Sequence, residues 1–88
     1  MTENYLADVQ ITPRAGILDP VGETIASALG NLGYEDVRSV RAGRLIRLEV
    51  EAETAQAAQT AVESMCEELI ANPIIEDYLV TVRDVEKL

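Results

Sequence analysis

The fold is decided by residues 5–12, which read YLADVQIT. Apolar and polar positions alternate along this stretch, and an alternation of period two predicts a β-strand with one buried face. That face would carry Tyr5, Ala7, Val9 and Ile11. A helical pattern and a second alternating stretch follow, and the same order then recurs farther along the chain.

The sequence therefore predicts two strand–helix–strand units within 88 residues. They consist of Tyr5–Thr12, Pro20–Leu32 and Val37–Ala42, then of Arg44–Glu51, Ala55–Ala71 and Asp77–Arg83. Because such crossovers are right-handed, two split units interleave into a four-stranded antiparallel sheet with both helices on one face. We predict an α+β fold, the ferredoxin-like βαββαβ sandwich, as a single domain over residues 1–88. Its core would span residues 5–83, with a short polar C-terminal tail after it.

The helix boundaries have clear local signals. Asp19 can cap the first helix, and Pro20 loses no needed N–H at the first helical position. Gly33 suits the left-handed residue that closes this helix. The second helix is predicted to begin after Thr54 as its N-cap and to end at Asn72-Pro73, because the residue before Pro avoids the helical region.

Each predicted helix carries one apolar stripe, which we expect to be buried against the sheet. The stripe of the first helix is Val21, Ile25, Ala28, Leu29 and Leu32. The stripe of the second helix is Ala58, Val62, Met65, Cys66 and Leu69. Gly43 is predicted to form a tight turn between the second and third strands.

Composition excludes several classes of function. Hydrophobic residues make up 48% of the chain, which is typical of a globular protein. The formal net charge of −9 disfavours binding to nucleic acid or to an anionic membrane. The first residues do not resemble a signal peptide, and no apolar run is long enough to cross a bilayer. We expect a cytoplasmic protein whose small core is supported by oligomerisation.

Side chains that carry chemistry are scarce. The chain has no histidine and one cysteine, so neither a Cys/His zinc site nor an internal disulfide is possible. The single lysine, Lys87, lies in the predicted tail, and Cys66 lies on an apolar stripe. Adjacent carboxylates occur at Glu67-Glu68 and Glu76-Asp77, but neighbouring helical residues diverge and Glu67-Glu68 is typical of a solvated face. We predict no catalytic residue, no bound cofactor and no metal site.

Four of the seven basic residues surround Gly43. They are Arg38, Arg41, Arg44 and Arg47. A basic hairpin on an acidic body would suit a carboxylate-rich partner surface or a phosphate. The alternative is a solvated hairpin whose arginines pair with neighbouring acids of the same chain.

Four segments carry a family resemblance. They are GILDP at 16–20 with Gly22 after it, LGY at 32–34, VRAGR at 40–44 and MCEELIANPIIEDY at 65–78. Their order and spacing resemble the PurS family, the small subunit of phosphoribosylformylglycinamidine synthase, from about Tyr5 to Val82. Members usually have Lys where this chain has Arg44, so a compact ammonium is replaced by a planar guanidinium.

The resemblance implies a homodimer or higher oligomer bound to a large synthetase subunit and a glutaminase subunit. That complex converts formylglycinamide ribonucleotide, glutamine and ATP to formylglycinamidine ribonucleotide in purine biosynthesis. The resemblance implies that ATP and magnesium are held by the large subunit and that the small subunit is non-catalytic, bridging the other two and aiding ammonia transfer. The residues that we predict to contact partners are Arg41, Gly43, Arg44, Asn72, Pro73, Glu76 and Asp77.

Two other functions remain open on this type of fold. One is a small-molecule sensing domain that binds an amino acid between paired copies. The other is an acylphosphatase-like enzyme, which needs a phosphate-cradling loop with a convergent Arg and Asn. Arg14 and Asn72 are the nearest candidates for that pair, although the sequence shows no such loop.

Overall fold

The computed structural model describes residues 1–85 and contains one antiparallel sheet and two α-helices. The strands and helices are β1 (Glu3–Pro13), α1 (Pro20–Asn31), β2 (Arg44–Ala52), α2 (Ala55–Met65) and β3 (Glu76–Asp84). A single π-helical turn, Cys66–Ile70, extends α2. The predicted α+β class and all five of these elements are confirmed. Asp84 belongs to β3 rather than to the predicted tail, and residues 86–88 of that tail lie outside the described residues.

The strand that opens the sequence is the centre of the sheet. The strand order is β2-β1-β3, and both pairings of β1 are antiparallel. Val9 lies opposite Ile46 on one side and Val80 on the other, so the predicted inner faces of the three strands coincide. Tyr5 and Val9, like the rest of the predicted inner face of β1, are buried.

The core lies between this sheet face and α2. Ala58, Val62 and Cys66 have no exposed surface, as expected for the stripe of the second helix. Full burial of a side chain such as Val9 or Val62 contributes about 1.5–3 kcal/mol. Thr54 caps α2 by accepting a hydrogen bond from the N–H of Ala57 at 3.0 Å, as its position in the sequence predicts.

The end of the second helix differs from the prediction at two residues of the expected stripe, since Met65 is 37% exposed and Leu69 is more exposed still. Leu69, which we expected in the buried stripe, is 86% exposed, whereas Ile70 packs against the core. The π-helical turn accounts for this, because an i→i+5 turn is wider than an α-turn and rotates the residues after it. An α-helical period of 3.6 residues therefore assigns the wrong residue to the core.

The prediction of a fourth strand is wrong. Among residues 1–85 the sheet has three strands, and Val37–Ala42 is not one of them. The N–H of Ala42 donates to the Asp19 carboxylate at 2.9 Å instead of joining a ladder. Gly43 does not form the predicted hairpin turn either, since its backbone lies against the carbonyl of Ile11 at the end of β1.

The prediction that both helices cover one sheet face is also wrong. Only α2 packs against all three strands, and within residues 1–85 α1 makes no comparable contact with the sheet. The stripe of α1 consequently faces solvent, with Val21 60% and Leu32 73% exposed. The N-terminal end of α1 is nevertheless formed as predicted, because Asp19 accepts from the N–H of Gly22 at 3.0 Å. Gly33 has the predicted left-handed backbone, with a φ of 98°.

The chain is extended for its length. Its radius of gyration is 16.5 Å, compared with about 12 Å for a compact domain of 88 residues. Its accessible surface is 6357 Å², whereas a compact monomer of this mass exposes about 5,100 Å². The chain thus exposes more surface than a compact monomer, and that surface includes large apolar side chains such as Leu32, Leu69 and Ile74.

The outer face of the sheet is polar at its centre and apolar toward one end. Asp8 on β1 accepts hydrogen bonds from Arg47 at 2.6 Å and from Arg83 at 3.0 Å. The hydrogen bond from Arg47 lowers the pKa of the Asp8 carboxyl. Leu45 and Leu79 lie in the next row of the register and are exposed.

Candidate functional site

The two regions predicted to contact partners lie together at one end of the sheet. Arg44 begins β2 opposite Ile11, and Glu76 begins β3 opposite Pro13. Because β1 is central, the starts of β2 and β3 lie on either side of its last residues. The strand register therefore brings residues that are 32 positions apart in the sequence into contact.

The central contact is the ion pair between Arg44 and Glu76. The guanidinium donates to both carboxylate oxygens of Glu76, at 2.6 and 3.2 Å, and also to the carbonyl of Ile70 at 2.9 Å. The hydrogen bond from Arg44 and a second one from the N–H of Asn72 lower the pKa of the Glu76 carboxyl. The Glu76 side chain is 16% exposed, so this pair is partly shielded from water.

This ion pair fixes the segment between the π-helical turn and β3, residues 71–75, which we call the braced loop. The N–H of Asn72 donates to Glu76 Oε1 at 2.8 Å, and the Asn72 side-chain oxygen accepts from the N–H of Ile74 at 3.2 Å. The Asn72 carbonyl accepts from the N–H groups of Ile75 and Glu76. Pro73 is half-buried within the loop. Every one of these contacts restricts the backbone of the braced loop.

Asp77 lies beside this contact but points away from it. Consecutive strand residues face opposite sides of a sheet, so Glu76 meets Arg44 while Asp77 pairs with Arg14 at 3.5 Å. The two carboxylates therefore do not converge on one ion. Within residues 1–85 no three His, Cys, Asp or Glu side chains are placed to hold a metal ion.

The geometry gives no support to a phosphate cradle formed by Arg14 and Asn72. Arg14 donates to the Glu76 carbonyl at 3.4 Å, and its own N–H donates to the Ile75 carbonyl at 2.9 Å. The side chain of Asn72 is engaged within the braced loop. Both side chains thus hold the loop rather than open toward a ligand.

A second set of contacts joins the start of α1 to the segment before β2. Asp19 uses one carboxylate oxygen to cap α1 and the other to accept from the N–H of Ala42 at 2.9 Å. Gly22 is buried, and a side chain at this position would collide with the Asp19 carboxylate and the carbonyl of Val40. A groove of about 270 Å³ lies beside these residues and is lined by Asp19, Ala42, Gly43, Arg44 and Glu76 among others.

The sequence predicted Asp19 as a helix cap but gave no sign of its bond to Ala42. An acid before Pro reveals capping, whereas a partner 23 residues away depends on tertiary structure. Arg44 and Glu76 are both among the predicted contact residues, but their pairing with each other also depends on tertiary structure.

The predicted basic hairpin is not assembled. Arg44 is on the inner face of the sheet and pairs with Glu76, whereas Arg47 is on the outer face and pairs with Asp8. Arg41 is exposed and donates to the Pro13 carbonyl at 3.5 Å. Arg38 is exposed in the segment that does not form a strand. The alternative interpretation, in which arginines pair with acids of the same chain, holds for Arg44 and Arg47.

Two further titratable groups lie at the π-helical turn, Cys66 within it and Tyr78 beside it. Burial raises the pKa of the Cys66 thiol, and the nearby Glu63 and Glu67 raise it further. The Tyr78 hydroxyl donates to Glu67 at 2.7 Å, which raises the pKa of Tyr78 to about 12. Both groups are thus held in their protonated forms at neutral pH, and Cys66 acts as a core residue.

The site and the fold define a class: a small α+β protein with one sheet, one packed helix, one unpacked helix and a braced loop at the sheet end. No helix within residues 1–85 is long and apolar enough to span a membrane. The chain belongs to the PurS family of phosphoribosylformylglycinamidine (FGAM) synthase, whose family model matches residues 6–84. The family predicted from the sequence is confirmed.

Individual relatives agree with the family match. The chain is 39% identical to the phosphoribosylformylglycinamidine synthase subunit PurS of Methanocaldococcus jannaschii over 82 residues, which are 93% of this chain and 99% of that protein. It is 38% identical to the Synechocystis subunit PurS over 78 residues, 89% of this chain and 78% of that protein.

Solved structures agree as well. The PurS subunit of Thermotoga maritima superposes with a TM-score of 0.83 at 35% identity, covering 94% of this chain and 95% of that one. A chain in the structure of PurLQS from Thermotoga maritima superposes with a TM-score of 0.79 at 36% identity, covering 91% and 98%. These matches support the PurS-like function over the small-molecule sensing domain.

Proposed function

We propose that this chain is the non-catalytic assembly subunit of a phosphoribosylformylglycinamidine synthase complex in the cytoplasm. It bridges a large synthetase subunit and a glutaminase subunit and aids the transfer of ammonia between them. The complex converts formylglycinamide ribonucleotide, glutamine, ATP and water to formylglycinamidine ribonucleotide, glutamate, ADP and phosphate. ATP and magnesium are held by the large subunit, and this chain holds no cofactor.

The observation that carries the proposal is the large surface that the chain leaves exposed. The chain exposes roughly a quarter more surface than a compact monomer of its mass, a surplus on the order of 1,000 Å². One side of a standard protein interface buries about 800 Å². The described chain therefore has enough exposed surface for at least one stable contact, and family membership indicates the complex in which that contact is made.

Self-association is the first contact that we propose. The stripe of α1 has no partner within the described chain, and Val21, Ile25 and Leu32 are exposed along it. Exposed apolar patches of this kind mark interaction sites on soluble proteins. A second copy that covers α1 gives the homodimer. The sheet end, with Arg41, Gly43 and the residues that hold the braced loop, is then left for the larger subunits.

The experiment is reconstitution of the synthase with and without this chain. We expect glutamine-dependent formation of formylglycinamidine ribonucleotide to require the chain, and formation from a high concentration of ammonium salt not to require it. An equal glutamine-dependent rate without the chain would refute the assembly role. A turnover of the substrates by the isolated chain would refute the non-catalytic role.

A further inference from the structure

We propose that Leu69 and the braced loop form a preformed docking tip, which inserts into an apolar pocket bordered by basic side chains on a larger subunit of the complex. This rests on the proposed function and names the surface that carries it. Leu69 is 86% exposed and Ile74, within the loop, is 84% exposed. These values are the highest among the large apolar side chains of residues 2–85.

The π-helical turn places Leu69 in solvent at this point. An α-helical continuation of α2 would keep the stripe of Ala58, Val62 and Cys66 running through Leu69. The wider turn instead puts Ile70 on the core and Leu69 outside. This π-helical turn ends α2, and its effect here is to expose a leucine that the helical period would bury.

The tip is rigid before any partner arrives. Arg44 holds the end of the π-helical turn through the Ile70 carbonyl and the start of β3 through Glu76. Asn72 closes the loop between them with its N–H, its carbonyl and its side-chain oxygen. An exposed apolar group on a preorganised backbone binds with a smaller loss of conformational entropy than one on a mobile loop. Arg44 is thus a positioning residue for Leu69 and Ile74.

Charge decides what kind of surface the tip fits. The two arginines that contact the braced loop or its ends are already paired with acids, Arg44 with Glu76 and Arg14 with Asp77. Glu67 and Glu68 precede Leu69 and are exposed, so the rim of the tip is anionic. A second copy that met this tip symmetrically would present the same two exposed glutamates to it. Like charges across an interface are repulsive, whereas a basic rim on another polypeptide attracts this tip.

The test measures binding of the full chain to the assembled larger subunits by titration calorimetry. The double variant Leu69→Ser/Ile74→Ser removes the two apolar anchors, and we expect its affinity to fall by about tenfold or more, as for central anchors of an interface. Leu79→Ser is the matched control, because Leu79 is equally apolar and is exposed on the outer sheet face. We expect that variant to bind within a factor of about two of the unaltered chain.

Two further measurements separate the possible outcomes. Glu67→Gln/Glu68→Gln should weaken binding at low salt and reduce its dependence on salt, because the charge attraction is lost. Sedimentation of the isolated double variant Leu69→Ser/Ile74→Ser should match that of the unaltered chain. A changed oligomeric state would assign the tip to self-association and overturn the proposal.

The result for the unaltered chain distinguishes this proposal from the one on which it rests. If the unaltered chain does not bind the larger subunits, the assembly function fails and the docking tip fails with it. If it binds and Leu69→Ser/Ile74→Ser binds equally well, the assembly function stands and the docking tip alone is refuted. Circular dichroism of each variant shows whether a loss of binding reflects a loss of fold.

Discussion

Replacement of Asp19 tests the joint between α1 and the rest of the chain. The two carboxylate oxygens of Asp19 accept from the N–H groups of Gly22 and Ala42, at 3.0 and 2.9 Å. In Asp19→Ala the first loss is an N-cap, which costs about 1 kcal/mol. The second loss leaves a partly buried amide without its charged acceptor, and a hydrogen bond to a charged group contributes about 1.5–3 kcal/mol.

Thr54→Ala supplies the matched control for this change. Thr54 caps α2 through one hydrogen bond, to Ala57, and makes no bond to a distant segment in the described structure. We expect Thr54→Ala to cost about 1 kcal/mol and Asp19→Ala to cost about 2.5–4 kcal/mol, the sum of its two losses. Asp19→Asn should lie between them, because an amide has one acceptor oxygen and can cap α1 but not also serve Ala42.

The assay is urea unfolding at one fixed protein concentration, since self-association makes apparent stability depend on concentration. Hydrogen exchange of the Ala42 amide gives a local reading, and we expect it to quicken in Asp19→Ala and Asp19→Asn but not in Thr54→Ala. Equal destabilisation by Asp19→Ala and Thr54→Ala, with unchanged exchange at Ala42, would refute the double role of Asp19.

Three further perturbations have clear expected outcomes. Gly43→Ala should destabilise the fold by about 3 kcal/mol or more in urea unfolding, because the new side chain would collide with the backbone of β1. Gly30→Ala on α1 is the contrasting change, since its side chain meets open space and should stabilise by about 0.5–1 kcal/mol. Glu67→Gln should return the pKa of Tyr78 from about 12 toward 10. Phenolate absorbance during an alkaline titration measures this pKa, and an unchanged midpoint would contradict the role of the hydrogen bond to Glu67. Asp8 has a lowered pKa in the folded state, so its contribution is present above the ordinary carboxyl range and is lost as the pH falls through the folded pKa. Asp8→Asn should therefore flatten the acid limb of stability against pH, and an unaltered acid limb would show that the ion pairs of Asp8 add nothing.

Local signals in the sequence determined most of the elements. Alternation found all three strands, and the inner face of β1 is buried as predicted. Asp19 and Thr54 marked the helix starts, because capping depends on residues only three positions apart. These are the interactions that a short window of sequence contains.

The errors all concern what an element packs against. The periodicity of α1 shows that one face is apolar, but it does not show whether this chain or another covers that face. The alternation in Val37–Ala42 is compatible with a strand, yet Ala42 donates to Asp19 instead. The exposure of Leu69 depends on a π turn that has no sequence signal in a helix rich in good helix formers. The predicted contact residues lie together at the sheet end, but the Arg44–Glu76 pair required the strand register.

The two unpartnered apolar surfaces differ in how they are held, and this difference favours different partners. The braced loop is fixed by Arg44 and Asn72 through several hydrogen bonds, so its shape is set before binding. The direction of α1 depends mainly on contacts at its first turn, around Asp19 and Gly22, because the rest of α1 does not pack on the sheet.

A helix held at one end gains most from a neighbour that lies along its whole length and fixes its direction, as a second copy would. A rigid tip with anionic sides gains most from a preformed pocket of opposite charge, whereas the same tip on a second copy presents like charges. Loss of self-association by substitution along α1 should therefore leave the intrinsic affinity of the tip for the larger subunits unchanged, and coupled loss of both would show that the two surfaces form one interface.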